Sequence, residues 1–182
     1  MANIVVGISG GIAAYKVATV VSRLAQATAG EGPLHSIRVV LSKGATQFVG
    51  PATFAALSQQ QPVTDTYDSR FPLGAHIELA EGLDLLLVAP ATARVLGSCA
   101  NGMADDLLTT LYLNCSCPVL MAPAMSDAMW RKPAVQRNVA QLKEDGVQFV
   151  GPESGWLSCR KEGQGRMSEP EDLLAEINAK LS

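Results

Sequence analysis

The chain has 182 residues, 48% hydrophobic and 17% charged, with 14 Lys+Arg against 17 Asp+Glu, which describes one compact domain over residues 1–182. A formal net charge of −3 without a basic run argues against nonspecific nucleic-acid binding, which needs clustered cations to displace counterions. The apolar, charge-free run from Leu85 to Ala93, interrupted by Pro90, is far short of the roughly 20 residues that cross a bilayer, so no membrane partner is expected.

The N-terminus, Met1 to Gly7, lacks the basic region and small-residue cleavage site of a secretory signal and reads as the first strand of a cytoplasmic protein. Ile4 to Ile8 is the β-branched run of a strand buried on both faces of a parallel sheet. Val17, Val20, Val21 and Leu24, at i, i+3, i+4 and i+7, give the following helix one apolar face. Similar runs recur at Ile37 to Leu41, Leu83 to Val88, Val119 to Met121 and Val147 to Val150, with room for crossover helices between them. This alternation predicts a doubly wound α/β sheet in three α/β/α layers. Pro133 suits the first turn of a helix over Ala134 to Asp145, and Ser168 with Glu171 has capping-box spacing before the last helix. Gln59 to Ala75 and Gly151 to Pro170 read as long loops, where function concentrates.

In open α/β sheets a ligand sits beyond the carboxyl ends of the strands. There the chain is small and hydroxylated: Ser9, Gly10, Gly11 and Ile12 after the first strand, Ser42 after the second, and Ala89 to Thr92 at the third. Glycines let backbone N–H groups approach an anion at a helix N-terminus; equally, the loop is a tight turn and the hydroxyls are N-caps. The spacing matches neither G-x-G-x-x-G nor the Walker pattern. Three such junctions together favour a phosphorylated planar cofactor. Of the four cysteines, Cys99, Cys115 and Cys117 read as small apolar fillers, all four as free thiols, and neither His35 nor His76 has a local partner for a metal. His35 reads as a surface residue ahead of a strand.

The segments Gly7 to Lys16, His76 to Leu79, Ala89 to Ala93, Gly102 to Thr109, Pro123 to Trp130 and Gly163 to Pro170, in this order, resemble the flavin-containing cysteine decarboxylases, most of all their phosphopantothenoylcysteine-decarboxylating branch. The resemblance spans essentially the whole chain. It implies a flavodoxin-like, Rossmann-like fold, non-covalently bound FMN, and assembly as a homotrimer or homododecamer with FMN near the subunit interface. It assigns cofactor contacts to Ser9, Gly10, Gly11 and Ile12, to Ser42, to Thr92, Ala93, Arg94 and Val95, and to Ala124. Bacterial relatives are often fused to a synthetase that conjugates cysteine. This chain is therefore read as free-standing or as half of such a fusion, with a phosphopantothenate-cysteine ligase acting upstream.

The implied reaction converts 4'-phosphopantothenoylcysteine, a phosphorylated thiol, into 4'-phosphopantetheine for coenzyme A. The thiol is oxidised to a thioaldehyde, CO2 leaves, and the enethiolate is re-reduced, the cofactor supplying the redox chemistry. His76 matches the family's essential histidine and relays the thiol proton, against the alternative of a packing or capping histidine. Cys159 lies in a segment matching the family's mobile flap, about 151–170, and is implied to donate a proton to the enethiolate; otherwise it is an idle exposed thiol. Met125, Ser126 and Arg166 are assigned to substrate, although Met121, Met125 and Met129 also read as packing residues.

Two positions depart from the family pattern. Ser126 stands where an asparagine orients the substrate, with Asp127 able to compensate in part. Arg160 stands where glycine commonly follows the flap cysteine. Ser126 leaves room for another cysteine-bearing substrate or a non-catalytic FMN-binding regulator. A flavin prenyltransferase would leave His76 and Cys159 unexplained.

Overall fold

The structure, a computed structural model, describes residues 1–29 and 32–181. Its centre is a five-stranded, all-parallel sheet of order β4-β1-β5-β6-β7, built from β1 (Ala2–Ile8), β4 (His35–Leu41), β5 (Leu85–Ala91), β6 (Val119–Pro123) and β7 (Gln148–Phe149). A short pair, β2 (Thr28–Ala29) and β3 (Gly32–Pro33), precedes β4. The order reverses at β1, so the crevice between β1 and β5 is the doubly wound switch point.

Side-chain alternation divides the core between two faces. Ile4, Val6 and Ile8 of β1 pack with Val17, Val20, Val21 and Leu24 of α1 (Ala14–Gln26), Phe54 of α2 (Pro51–Ser58), and Leu173 and Ile177 of α8 (Pro170–Leu181). Val5 packs on the other face with α3 (Ala75–Ala80), α4 (Ala93–Ala100), α5 (Leu107–Asn114) and α7 (Pro133–Glu144). Gly7 faces α5: a Cβ there would lie 2.2 Å from Leu108 Cδ1, so a side chain at position 7 would displace the Leu108 side chain from its place on the sheet. The expected helical face at Val17 to Leu24 and the Pro133 start are as read from the sequence, Pro133 sitting in the first turn of α7.

The exposed edge of β4 is partly covered by the irregular segment 59–75. Val63 N–H donates to Val39 O at 2.8 Å and Val63 O accepts from Leu41 N–H at 2.9 Å. Such pairing satisfies backbone groups that an edge strand leaves open.

Three expectations are corrected. Residues 151–170 are not a loop but contain an antiparallel hairpin, β8 (Glu153–Leu157) with β9 (Lys161–Arg166). Its strands are polar, glycine-containing and mostly exposed, so they carry no apolar alternation to read. His35 is not a surface residue: it starts β4 at 7% exposure, and burial lowers its pKa from 6.5. Before α8, Asp172 accepts from Glu169 N–H at 3.2 Å, while the buried Ser168 hydroxyl donates to Glu153. The half-box is thus Glu169 with Asp172, one residue later than Ser168 with Glu171.

Candidate functional site

A cleft of about 990 Å³ opens at the carboxyl edge of β1, β4, β5 and β6. Each strand delivers a short turn to it: Gly10 to Ala13, Ser42 to Gly44, Thr92 to Arg94, and Ala124 to Ser126. The first two turns meet backbone to backbone. A Cβ on Gly10 would lie 2.8 Å from Gly44 C and 2.9 Å from Gly44 Cα, which restricts position 10 to glycine if the turns are to touch.

The hydroxyls hold this wall together. Ser9 is fully buried; its Oγ donates to Pro90 O at 2.6 Å and accepts from Thr92 N–H at 3.1 Å, pinning the β1 turn to the end of β5. Pro90 has no N–H, and the ladder between β5 and β6 shifts register between Val88 and Ala91. Ser42 Oγ accepts from Ala45 N–H at 3.3 Å and so stabilises its own turn. Thr92 occupies the N-cap of α4 but makes no side-chain cap, and Ala13 at the N-cap of α1 offers none. Two helix N-termini without side-chain caps thus border one cleft. Their N–H groups and partial positive charge suit an anionic group, and the glycine turns admit a flat ligand.

Arg94 lies on the cleft wall, paired with Asp105 at 3.1 Å and with Asp106. Asp106 also caps α5, its Oδ1 accepting from Thr109 N–H at 2.9 Å. Burial opposes ionisation of Asp106, but the Thr109 donors and Arg94 outweigh it and keep the carboxyl below the usual range.

The hairpin forms the remaining wall with Trp156 to Cys159 and Gly165 to Met167. It docks on the turn after β6 and on α6 (Asp127–Trp130), where Met125 N–H donates to Gly165 O at 3.0 Å and Gln164 N–H donates to Asp127 Oδ1 at 2.9 Å. Cys159 sits in its turn, exposed toward the cleft mouth. The turn closes with Arg160 N–H donating to Leu157 O at 2.9 Å, and Arg160 takes φ 62°. That left-handed conformation accounts for the glycine the resemblance leads one to expect there.

Most expected site residues converge. Gly10, Gly11, Ile12, Ser42, Thr92, Ala93, Arg94, Ala124, Met125, Ser126, Cys159 and Arg166 all line the cleft. Three do not. Ser9 stands behind the wall, Val95 is fully buried in the core, and His76 lies on α3 outside the lining, its Nδ1 buried and unpartnered among the described residues. Ser9 and Val95 therefore shape the site without facing it. Asp127 does not line the cleft either: Gln164 N–H and the Arg131 guanidinium engage its carboxylate and hold its pKa down. Ser126 caps α6, its Oγ accepting from Met129 N–H at 3.4 Å.

Tyr15, Lys16, Lys43, Asp105, Asp106, Trp156 and Glu169 also line the cleft and were not singled out from the sequence. Tyr15, Lys16, Asp105, Asp106 and Glu169 fall inside the segments that carry the resemblance, so their signal lies there. Cys99 is buried, and burial first of all pushes its thiol up to about 12. Cys115 and Cys117 hydrogen-bond through their thiols, which raises the pKa of Cys115 and lowers that of Cys117. No helix among the described residues is long and apolar enough to cross a membrane.

Residues 1–182 match the model of a family described as Flavoprotein. The chain is 44% identical over 173 residues to the coenzyme A biosynthesis bifunctional protein CoaBC of Bacillus subtilis (strain 168), covering 94% of this chain and 41% of that protein. It is 45% identical over 177 residues to the protein of the same name in Mycobacterium tuberculosis, covering 96% and 41%. The chain thus spans about two fifths of the length of these curated relatives. Among solved structures it is similar to the FMN-dependent cysteine decarboxylase SpaF, at 33% identity and TM-score 0.83, covering 100% of this chain and 98% of that one. It is also similar to a cysteine-to-serine mutant of PPC decarboxylase complexed with pantothenoylaminoethenethiol, at 26% identity and TM-score 0.86, covering 98% and 97%.

Proposed function

Since the chain belongs to the flavoprotein family, we propose that it binds FMN in this cleft and decarboxylates 4'-phosphopantothenoylcysteine to 4'-phosphopantetheine, as a cytoplasmic step toward coenzyme A. One observation carries the reading: an anion-receptive cleft at the sheet's switch point is covered by a hairpin whose turn bears a thiol, Cys159. The names of CoaBC and PPC decarboxylase among its relatives support the substrate. The backbone of Gly10 to Ile12 and the turns at Ser42, Thr92 to Arg94 and Ala124 would hold the cofactor. The chemistry that FMN would supply there is two-electron redox, as acceptor and then donor of the hydride at the substrate's thiol-bearing carbon.

The chain's own residues supply position and protons. Arg166 and Ser126 face the cleft, where a guanidinium and a hydroxyl can hold the substrate's carboxylate, and the hairpin shields a reactive thiocarbonyl from water. Cys159 Sγ gives its proton to the enethiolate carbon during re-reduction. His76 relays the thiol proton, and because it lies outside its own chain's cleft it serves the cleft of a second copy in a homotrimer or homododecamer. Ile12, Tyr15, Met129 and Trp156, between 45% and 63% exposed at the cleft, give that assembly an apolar surface to cover. The ligase that makes the substrate acts upstream, in the remainder of a longer protein or in a separate one.

The test is mass spectrometry of the products after incubating the flavin-loaded protein with phosphopantothenoylcysteine. Loss of CO2 alone is expected. Cys159→Ser should shift the product to loss of CO2 plus two hydrogens, and His76→Asn should stop turnover while flavin stays bound. Unchanged substrate beside bound flavin would instead favour a non-catalytic binder, the reading that Ser126 motivates. Native mass spectrometry should find an oligomer; a fully active monomer would overturn the shared-site reading.

A further inference from the structure

Lys16 stands in the first turn of α1, where its positive charge opposes the helix dipole and no acidic residue of that turn offsets it. Its side chain is only 13% exposed, so the ammonium is held rather than free in solvent. Nζ donates to Glu169 Oε1 at 2.8 Å and to Met167 O at 3.3 Å, both just beyond the end of β9. The same Glu169 oxygen lies 3.5 Å from Arg166 Nη2, which pairs at 3.0 Å with Glu153 Oε2 at the start of β8. One ammonium on the helix that begins at the glycine turn is thus linked, through three charged side chains, to the base of both hairpin strands.

The hairpin needs such an anchor. Among the described residues it shares no ladder with the central sheet. Leu157 and Met167 are its buried apolar contacts, and its hydrogen bonds to Met125 and Asp127 hold only the side facing α6. The Arg166 side chain packs against Gly155, where a Cβ would come within 3.2 Å of Nε and 3.4 Å of Cζ.

We propose that Lys16 is a positioning residue: through Glu169, Arg166 and Glu153 it seats the β8–β9 hairpin on α1, and so sets where Cys159 stands over the cleft. The catalytic consequence rests on the function proposed above, whereas the seating of the hairpin does not.

The experiment compares wild type with Lys16→Met, Lys16→Arg and Glu169→Gln, using the flavin-loaded full chain. Backbone hydrogen exchange is measured over residues 151–167, and the product is weighed after incubation with phosphopantothenoylcysteine. Removing a charge-assisted bond should speed hairpin exchange about tenfold or more in Lys16→Met. Glu169→Gln should move it in the same direction, and Lys16→Arg should largely restore protection. With flavin retained, the fraction of product lacking two further hydrogens should rise in the two disrupted variants. Unchanged hairpin exchange in Lys16→Met overturns the proposal, as does loss of flavin with the hairpin still protected, which would make Lys16 a cofactor ligand instead. If wild type releases no CO2, the functional reading fails while the exchange data still decide the seating.

Discussion

Gly165→Ala tests how the hairpin is docked. Gly165 has φ +131°, and a Cβ there would lie 2.3 Å from Met125 O and 3.3 Å from its carbonyl carbon. An ordinary carbon–oxygen contact is about 3.3 Å or more, so β9 must retreat by about 1 Å. That retreat carries the 3.0 Å bond from Met125 N–H to Gly165 O toward about 4 Å, beyond hydrogen-bonding range. The lost bond costs about 1 kcal/mol and the left-handed backbone about 1–2 kcal/mol more, so docking weakens by about 2–3 kcal/mol, or some 30–150-fold. Because the hairpin lies outside the five-stranded sheet, the loss should be local. Hydrogen exchange over 151–167 should rise by that factor, with flavin retained and the desaturated product increased. Gly102→Ala is the control: its φ is +64° but nothing lies within 4 Å of the added methyl, so strain alone is tested. Wild-type exchange in Gly165→Ala, or equal effects in both variants, would refute the reasoning.

Other substitutions probe single features. Arg160→Gly should relieve about 1 kcal/mol of left-handed strain and slow hairpin exchange, while Arg160→Ala should not, since alanine carries the same Cβ; equal behaviour of the two would count against a strained turn. Ser126→Asn should leave the melting temperature unchanged, because asparagine caps a helix as well as serine, yet lower KM for the cysteine substrate about tenfold through an added amide contact; an unaltered KM would mean that position 126 does not touch substrate. For His35 the folded pKa lies below the unfolded 6.5, so the unfolded chain takes up the proton first and stability falls as pH drops through about 6.5 toward the folded value. His35→Gln should flatten that slope in urea titrations between about pH 7.5 and 5.5, and an identical slope would assign it to other groups.

The sequence by itself determined the strand-and-helix alternation, the apolar face of α1, the start of α7 and the turns that reach the cleft. Each rests on neighbours within one element: buried parallel strands need continuous apolar runs, amphipathic helices need a 3.6-residue repeat, and ligands gather beyond strand carboxyl ends. The family resemblance added Cys159 and His76 as candidates, neither of which any periodicity distinguishes. Only the tertiary structure decided that Gly10 meets Gly44, that Ser9 and Val95 stand behind the cleft wall, that Asp127 is engaged by Gln164 and Arg131, and that His35 is buried. It also turned a polar, glycine-containing segment into the hairpin that carries Cys159, held by contacts with residues about 37 to 153 positions away. Such contacts leave no periodic trace, because each partner is chosen by where the sheet brings distant turns together rather than by its own neighbours in the chain.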